Sequence, residues 1–130
     1  MSTRTNLRPA SVITNGDMSA NITSQVTILQ SITGVAYAVS WSGSTPVGTL
    51  SVQVSNDYSL NQSGTVQNTG TWTTIYLNVN GTPATTIAVS GNTGSGVADI
   101  EKTMVYAIRL IYTAGSGTGT LNAVINGKVS

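Results

Sequence analysis

The stretch VAYAVSWSGSTPVGTLSVQV, residues 35–54, decides the fold. Val35, Tyr37, Val39 and Trp41 alternate with Ala36, Ala38 and Ser40, the period-two pattern of a strand with one large-residue face. Leu50, Val52 and Val54 repeat it against Ser51, Gln53 and Ser55. Gly43 to Gly48, with Pro46 inside, interrupts the pattern. The short interruption predicts two strands pairing antiparallel across a turn.

Residues 104–129 repeat this plan. Tyr106, Ile108, Leu110 and Tyr112 form one apolar face, and Val105, Ala107 and Ile111 the other, which Arg109 interrupts. A strand apolar on both sides belongs at the centre of a sheet or at an interface. Ala114-Gly115-Ser116-Gly117 predicts a turn, and Leu121, Ala123 and Ile125 alternate beyond it, so a hairpin is expected here as well.

Between these regions, Ile22 to Leu29 reads as one strand and Thr71 to Val79 as another. Asn80-Gly81 is a hairpin signal, which Pro83 weakens. Thr85 to Val89 predicts a short strand and Gly91 to Gly96 a flexible turn. Asn56 to Gly70 reads as a long polar loop that carries a short edge strand. Val97 to Tyr106 is the sole helix candidate, in a chain crowded with β-branched residues. Residues 1–11 form an expected N-terminal arm, polar, with Arg4, Arg8 and Pro9. Seven or eight strands then build one all-β domain over residues 12–130, an antiparallel β-sandwich or jelly roll.

Composition narrows the function. The 130 residues include no His and no Cys, and charged side chains make up 7%. Lacking Cys, the chain has no disulfide, no thiolate and no Cys-based zinc site, which points to assembly in a cytosol. The N-terminal residues contain no apolar run of signal-peptide type. If the protein works outside a cell, it is therefore expected to leave by a route other than a classical signal, of which release of a particle on lysis is one. Net charge is +1 with no basic cluster. Phosphate neutralisation therefore cannot drive nucleic-acid binding, and attraction to an anionic membrane fails on the same count.

Reactive constellations are equally sparse. Asp99 and Glu101 are the closest acidic pair, and a solvated turn explains them better than a glycosidase dyad. No Gly-x-Ser-x-Gly elbow is present, and no histidine exists to act as base. Gly115 to Gly119 resembles a phosphate loop only superficially, without its lysine or helix. Asp17 and Asp57 sit beside Asn15-Gly16 and Asn56, where turn formation is the simpler role than calcium binding. No cofactor and no catalytic residue is expected.

Aromatic residues offer a binding alternative. Trp41, Tyr37, Tyr106 and Tyr112 lie on apolar strand faces and are assigned to the core. Tyr58, in a polar loop, and Tyr76, opposite Ile75 and Leu77, are the candidate exposed contacts. Outward positions carry Thr, Ser, Asn and Gln in place of Lys and Glu. Such faces cost less to desolvate against a neighbour than charged ones.

Four segments together resemble the small all-β virion proteins of tailed bacteriophages, of the capsid decoration or cement type. They are NGDMSANITS (15–24), PVGTLSVQVSND (46–57), TWTTIYL (71–77) and YAIRLIYTAGSGTGTLNAVINGKV (106–129). The resemblance implies a particle component assembled in the host cytoplasm and seated on the capsid surface. Its partners would be the major capsid protein or other virion proteins, and its own copies as a dimer or trimer. Arg4 and Arg8 are then candidates for a capsid-docking arm. A tail, neck or fibre adaptor is the second reading, and a carbohydrate-binding module using Tyr58 or Tyr76 the third.

Overall fold

Two strands of 22 residues run through the whole molecule and pair with each other along their length. The computed structural model describes residues 6–29, 34–79, 82–100 and 106–128. Its strands are β1 (Asn6–Asp17), β2 (Ile22–Thr23), β3 (Thr27–Ile28), β4 (Gly34–Ser55), β5 (Ser59–Leu60) and β6 (Val66–Asn68). They continue as β7 (Thr73–Thr74), β8 (Leu77–Val79), β9 (Thr82–Ala84), β10 (Ile87–Val89), β11 (Thr93–Ile100) and β12 (Ala107–Lys128). All pairings are antiparallel.

The all-β reading therefore holds, while both expected hairpins are replaced by something else. Residues 34–55 do not fold back on themselves. They continue as one strand whose partner, β12, also continues through its glycines, from Ala107↔Ser55 to Lys128↔Gly34. The ladder slips twice, between Ala114 and Ser116 and between Ser116 and Thr118. Bulges of this kind bend a strand and let it pass from one sheet to the other at a corner. Gly43–Gly48 and Ala114–Gly119 are that corner.

Glycine is required there for close approach of the two backbones. A Cβ on Gly43 would lie 2.3 Å from Gly119 Cα, and one on Gly117 would lie 2.1 Å from Thr45 O. Thr45 itself holds φ 45°, a costly conformation for a β-branched residue. Its N–H donates to Asn92 Oδ1 at 2.8 Å, and the Gly43 N–H donates to Asn92 O at 2.8 Å. The β10–β11 connection thus plugs into the bend. β10 pairs with Gly48–Leu50 and β11 with Val35–Ser42, so this third strand pair follows β4 around the same corner.

Two layers result. The first orders β1, the C-terminal half of β12, the N-terminal half of β4, β11, β8 and β9. The second joins β2 and β3 to the start of β12, then the end of β4, with β7 and β10 beside it. Inward residues of both layers form one core, with Tyr37, Val39, Leu121 and Ile125 from the first and Leu50, Val52, Leu110 and Tyr112 from the second. Each buried large side chain contributes about 1.5–3 kcal/mol. The Tyr37 and Tyr112 hydroxyls are buried without a hydrogen-bond partner among the described residues, and burial pushes both phenols above their usual range.

Other expectations are corrected by the same topology. Residues 6–11, expected in the arm, belong to β1, paired from Asn6↔Lys128 onward; residues 1–5 lie outside the described residues. Pro9 is tolerated because β1 is an edge strand and the ladder slips between Leu7 and Ala10. Gly94 and Gly96 lie within β11, and Val97 to Ile100 extends that strand where a helix was the candidate; residues 101–105 lie outside the described residues. Gly94 fits a strand because Trp41, its cross-strand partner, lays its ring over it.

Ile22 to Leu29 is interrupted by Ser24, whose N–H donates to Leu110 O (2.9 Å) and whose Oγ accepts from Leu110 N–H (2.8 Å). One residue satisfies both backbone groups, and the chain bulges at Gln25 to reach Val12 O at 3.2 Å. Residues 71–79 also split, because β7 pairs with β4 in the second layer and β8 with β11 in the first. β8 pairs with β9 from Leu77↔Ala84 to Val79↔Thr82, Pro83 included, while Asn80 and Gly81, where the turn was expected, lie outside the described residues. Asn56 to Gly70 carries its own small hairpin, β5 with β6.

Candidate functional site

Arg109 stands at the centre of the outer face of the second layer. Ile108 and Leu110 on either side point into the core, so strand alternation turns Arg109 outward. Its ladder partner on β4 is Gln53, which in turn faces Thr74 of β7. The guanidinium donates from Nε and Nη2 to Gln53 Oε1, at 2.9 and 2.7 Å. Trp72, one residue before β7, covers it, with the guanidinium carbon 4.1 Å from the ring centroid. Cation–π stacking of this kind contributes about 0.5–2 kcal/mol. Partial burial lowers the guanidinium's pKa from its usual value.

Trp72 is held from the loop side. Its Nε1–H donates to Thr69 O at 2.8 Å, and its ring lies 5.8 Å from that of Tyr58 at 58°. Asp57 ties the two ends of the loop together, because its Oδ1 accepts from Thr71 N–H and from Ser55 Oγ–H, both at 2.7 Å. Ser55 Oγ accepts from the N–H groups of Asp57 and Tyr58, and Asn56 Oδ1 accepts from Tyr106 N–H at 2.9 Å. Gly70, at φ 80°, passes so near that a Cβ would meet Ser55 Oγ at 2.6 Å. The arrangement is an aromatic and guanidinium cluster whose described ladder neighbours, Gln53, Ser51, Ile111 and Thr74, are uncharged.

The bond from the Thr71 N–H, followed by that from Ser55, holds the Asp57 carboxyl below its ordinary pKa. A depressed folded-state pKa makes the contribution complete above the unfolded value and lost as pH falls through the folded one. The Trp72 indole N–H resonance is therefore expected to stay constant at neutral pH and to move below about pH 4. Asp57→Asn should abolish that movement, and an unaltered titration in the variant would exclude Asp57 as the tie.

Of the residues singled out in the sequence, Tyr58 is half-buried against Trp72, while Tyr76 is 73% exposed where the chain crosses between layers. They do not form one platform with a shared neighbour. Arg4 lies outside the described residues, and Arg8 belongs to β1, far along the ladder from Arg109. Asp17 Oδ1 accepts from Ser19 N–H (2.9 Å) and Ser19 Oγ–H (2.7 Å), bonds that lower its pKa and shape the turn after β1. Asp99 faces outward on β11, between Ala36 and Asn78. Trp72 and Gln53 were missed. Their one signal was the lone arginine in an apolar strand, which needs neutral partners on its outward side.

Fold and surface together define an antiparallel β-sandwich whose two longest strands serve both layers. The crystal structure of the SPBc2 prophage-derived protein YomS has this fold, with a TM-score of 0.62 over 97% of this chain and 96% of that one. The two are 8% identical, so the likeness is one of fold. No family model matches the chain, and no curated protein matches it.

Proposed function

We propose that this protein is a structural component of a bacteriophage particle, seated on the capsid shell as a decoration or cement protein. The observation that carries the reading is the end-to-end correspondence of fold with a prophage-derived protein. The segments that resemble tailed-phage virion proteins support it as well, since they include the later part of β4 and the whole of β12. The role is adhesive and not catalytic. Docked copies, as dimers or trimers, add binding free energy to the closed shell and stabilise it by linkage. Neutral outward rows such as Ala36, Ala38, Ser40 and Ser42 suit close contact with neighbouring protein.

Cryo-electron microscopy of particles assembled with and without the chain tests the proposal. Density repeating over the head lattice, absent without the chain, is the expected result. Density at a single vertex would assign it to the tail or neck, and no particle density would overturn the reading. Arg4→Ala with Arg8→Ala is expected to lower occupancy if these residues fasten the domain. Deleting residues 1–11 is a poorer test, because it removes the β1 pairing with residues 124–128.

A further inference from the structure

The Arg109 cluster is built as if one participant were supplied from outside. Its guanidinium is held on one edge by Gln53 and on one face by Trp72, while both N–H groups of Nη1 have no acceptor among the described residues. The outward side chains nearest in the ladder are Gln53, Ser51, Ile111 and Thr74, all neutral. The described carboxylates are engaged or placed elsewhere: Asp57 holds Thr71 and Ser55, Asp17 holds Ser19, and Asp99 lies on the first layer.

A half-buried cation with no counter-charge among the described residues is costly, and a planar guanidinium with a free edge matches a carboxylate in two-point geometry. We infer that Arg109, oriented by Gln53 and Trp72, is a recognition site for a carboxylate, contributed by an Asp or Glu side chain of a partner protein. Charge complementarity selects this occupant. The described ladder neighbours are neutral, and the nearby Asp57 carboxylate is already engaged by Thr71 and Ser55, so an entering acid meets one cation with an open edge. Only the source of the carboxylate rests on the proposed particle role; the site itself rests on the geometry.

The probe is an acetylated, amidated Glu-Glu dipeptide, titrated at constant ionic strength into the full chain, with the Gln-Gln dipeptide as control. Nitrogen–proton NMR correlation follows the Arg109 Nε–H and Trp72 Nε1–H signals, with Trp41 as internal reference because its Nε1–H is turned to Ser90 O. Saturable shifts of Arg109 and Trp72 with Glu-Glu alone are expected. Arg109→Gln should weaken binding about 10-fold or more, and Arg109→Lys should weaken it less, since charge survives and the fork does not. Preserved spectral dispersion establishes that each variant is folded.

Equal shifts with Gln-Gln, or binding unaffected by Arg109→Gln, would overturn the site. Saturation by glucuronate and not by Glu-Glu would overturn the protein source. Peptide binding by a chain that never joins a particle would overturn the proposed function and leave the carboxylate site standing.

Discussion

Gly117→Ala is expected to destabilise the protein by about 3 kcal/mol or more, lowering the midpoint of thermal unfolding by roughly 10 °C. Two effects add. Gly117 adopts φ 77°, which costs an L-residue about 1–2 kcal/mol. The new Cβ would also lie 2.1 Å from Thr45 O and 2.9 Å from Ser44 O. Both atoms are backbone, so relief requires moving β4 at the bend and disturbing the Thr45 bond to Asn92. Gly64→Ala is the control, because Gly64 has φ 83° with nothing near its would-be Cβ. It should show the dihedral cost alone, about 1 kcal/mol. Equal losses at both positions, measured by circular dichroism, would mean that the bend is not tightly packed.

The second large effect concerns Trp41. Its ring lies over Gly94, where a Cβ would come within 2.2 Å of the ring, and its Nε1–H reaches Ser90 O at 3.3 Å. Trp41→Ala should cost about 3–5 kcal/mol through lost burial and the space left behind. Gly94→Ala should cost about 1–3 kcal/mol by overpacking. Together the two should cost less than their sum by roughly 1–2 kcal/mol, since the added methyl enters the volume the ring has left. Denaturant unfolding of the four proteins measures the coupling directly. Strict additivity would show that the ring does not shield this glycine.

These sites mark where sequence reasoning succeeds and where it stops. Alternation in residues 35–41, 50–54 and 121–125 identified inward faces correctly, because a side chain's burial in a strand follows its parity. The glycine and proline clusters were legible as interruptions but not as corners. Glycine serves a chain reversal and a close approach of two backbones equally well, and only the partner strand distinguishes them. One clue was present: GSTPVG and AGSGTG interrupt two segments whose flanking strands are of matching length, as expected if they bend together. Gly94 misled for a related reason, since the residue that fills its space, Trp41, is distant in sequence.

The candidate site was less accessible still. Tyr58 lay in a polar loop and drew attention as a free ring, yet it packs on Trp72. Arg109 was visible as an anomaly in an apolar strand. Its meeting with Gln53 and Trp72 depends on the ladder between β4 and β12 and on a two-residue strand, β7, which no local pattern announces.

The pairing of Gly34 with Lys128 has a consequence for biosynthesis. The longest ladder joins residues widely separated along the chain, and β1 can close only on the last portion of β12. Such topology gives slow folding, because most of the loop-closure entropy is lost before the contacts that compensate it form. A nascent chain still lacking its final strand would hold β4 with its chief hydrogen-bonding groups unsatisfied, exposed to aggregation on the ribosome. Emergence of β12 is therefore the event that permits β4 and β1 to complete their pairing.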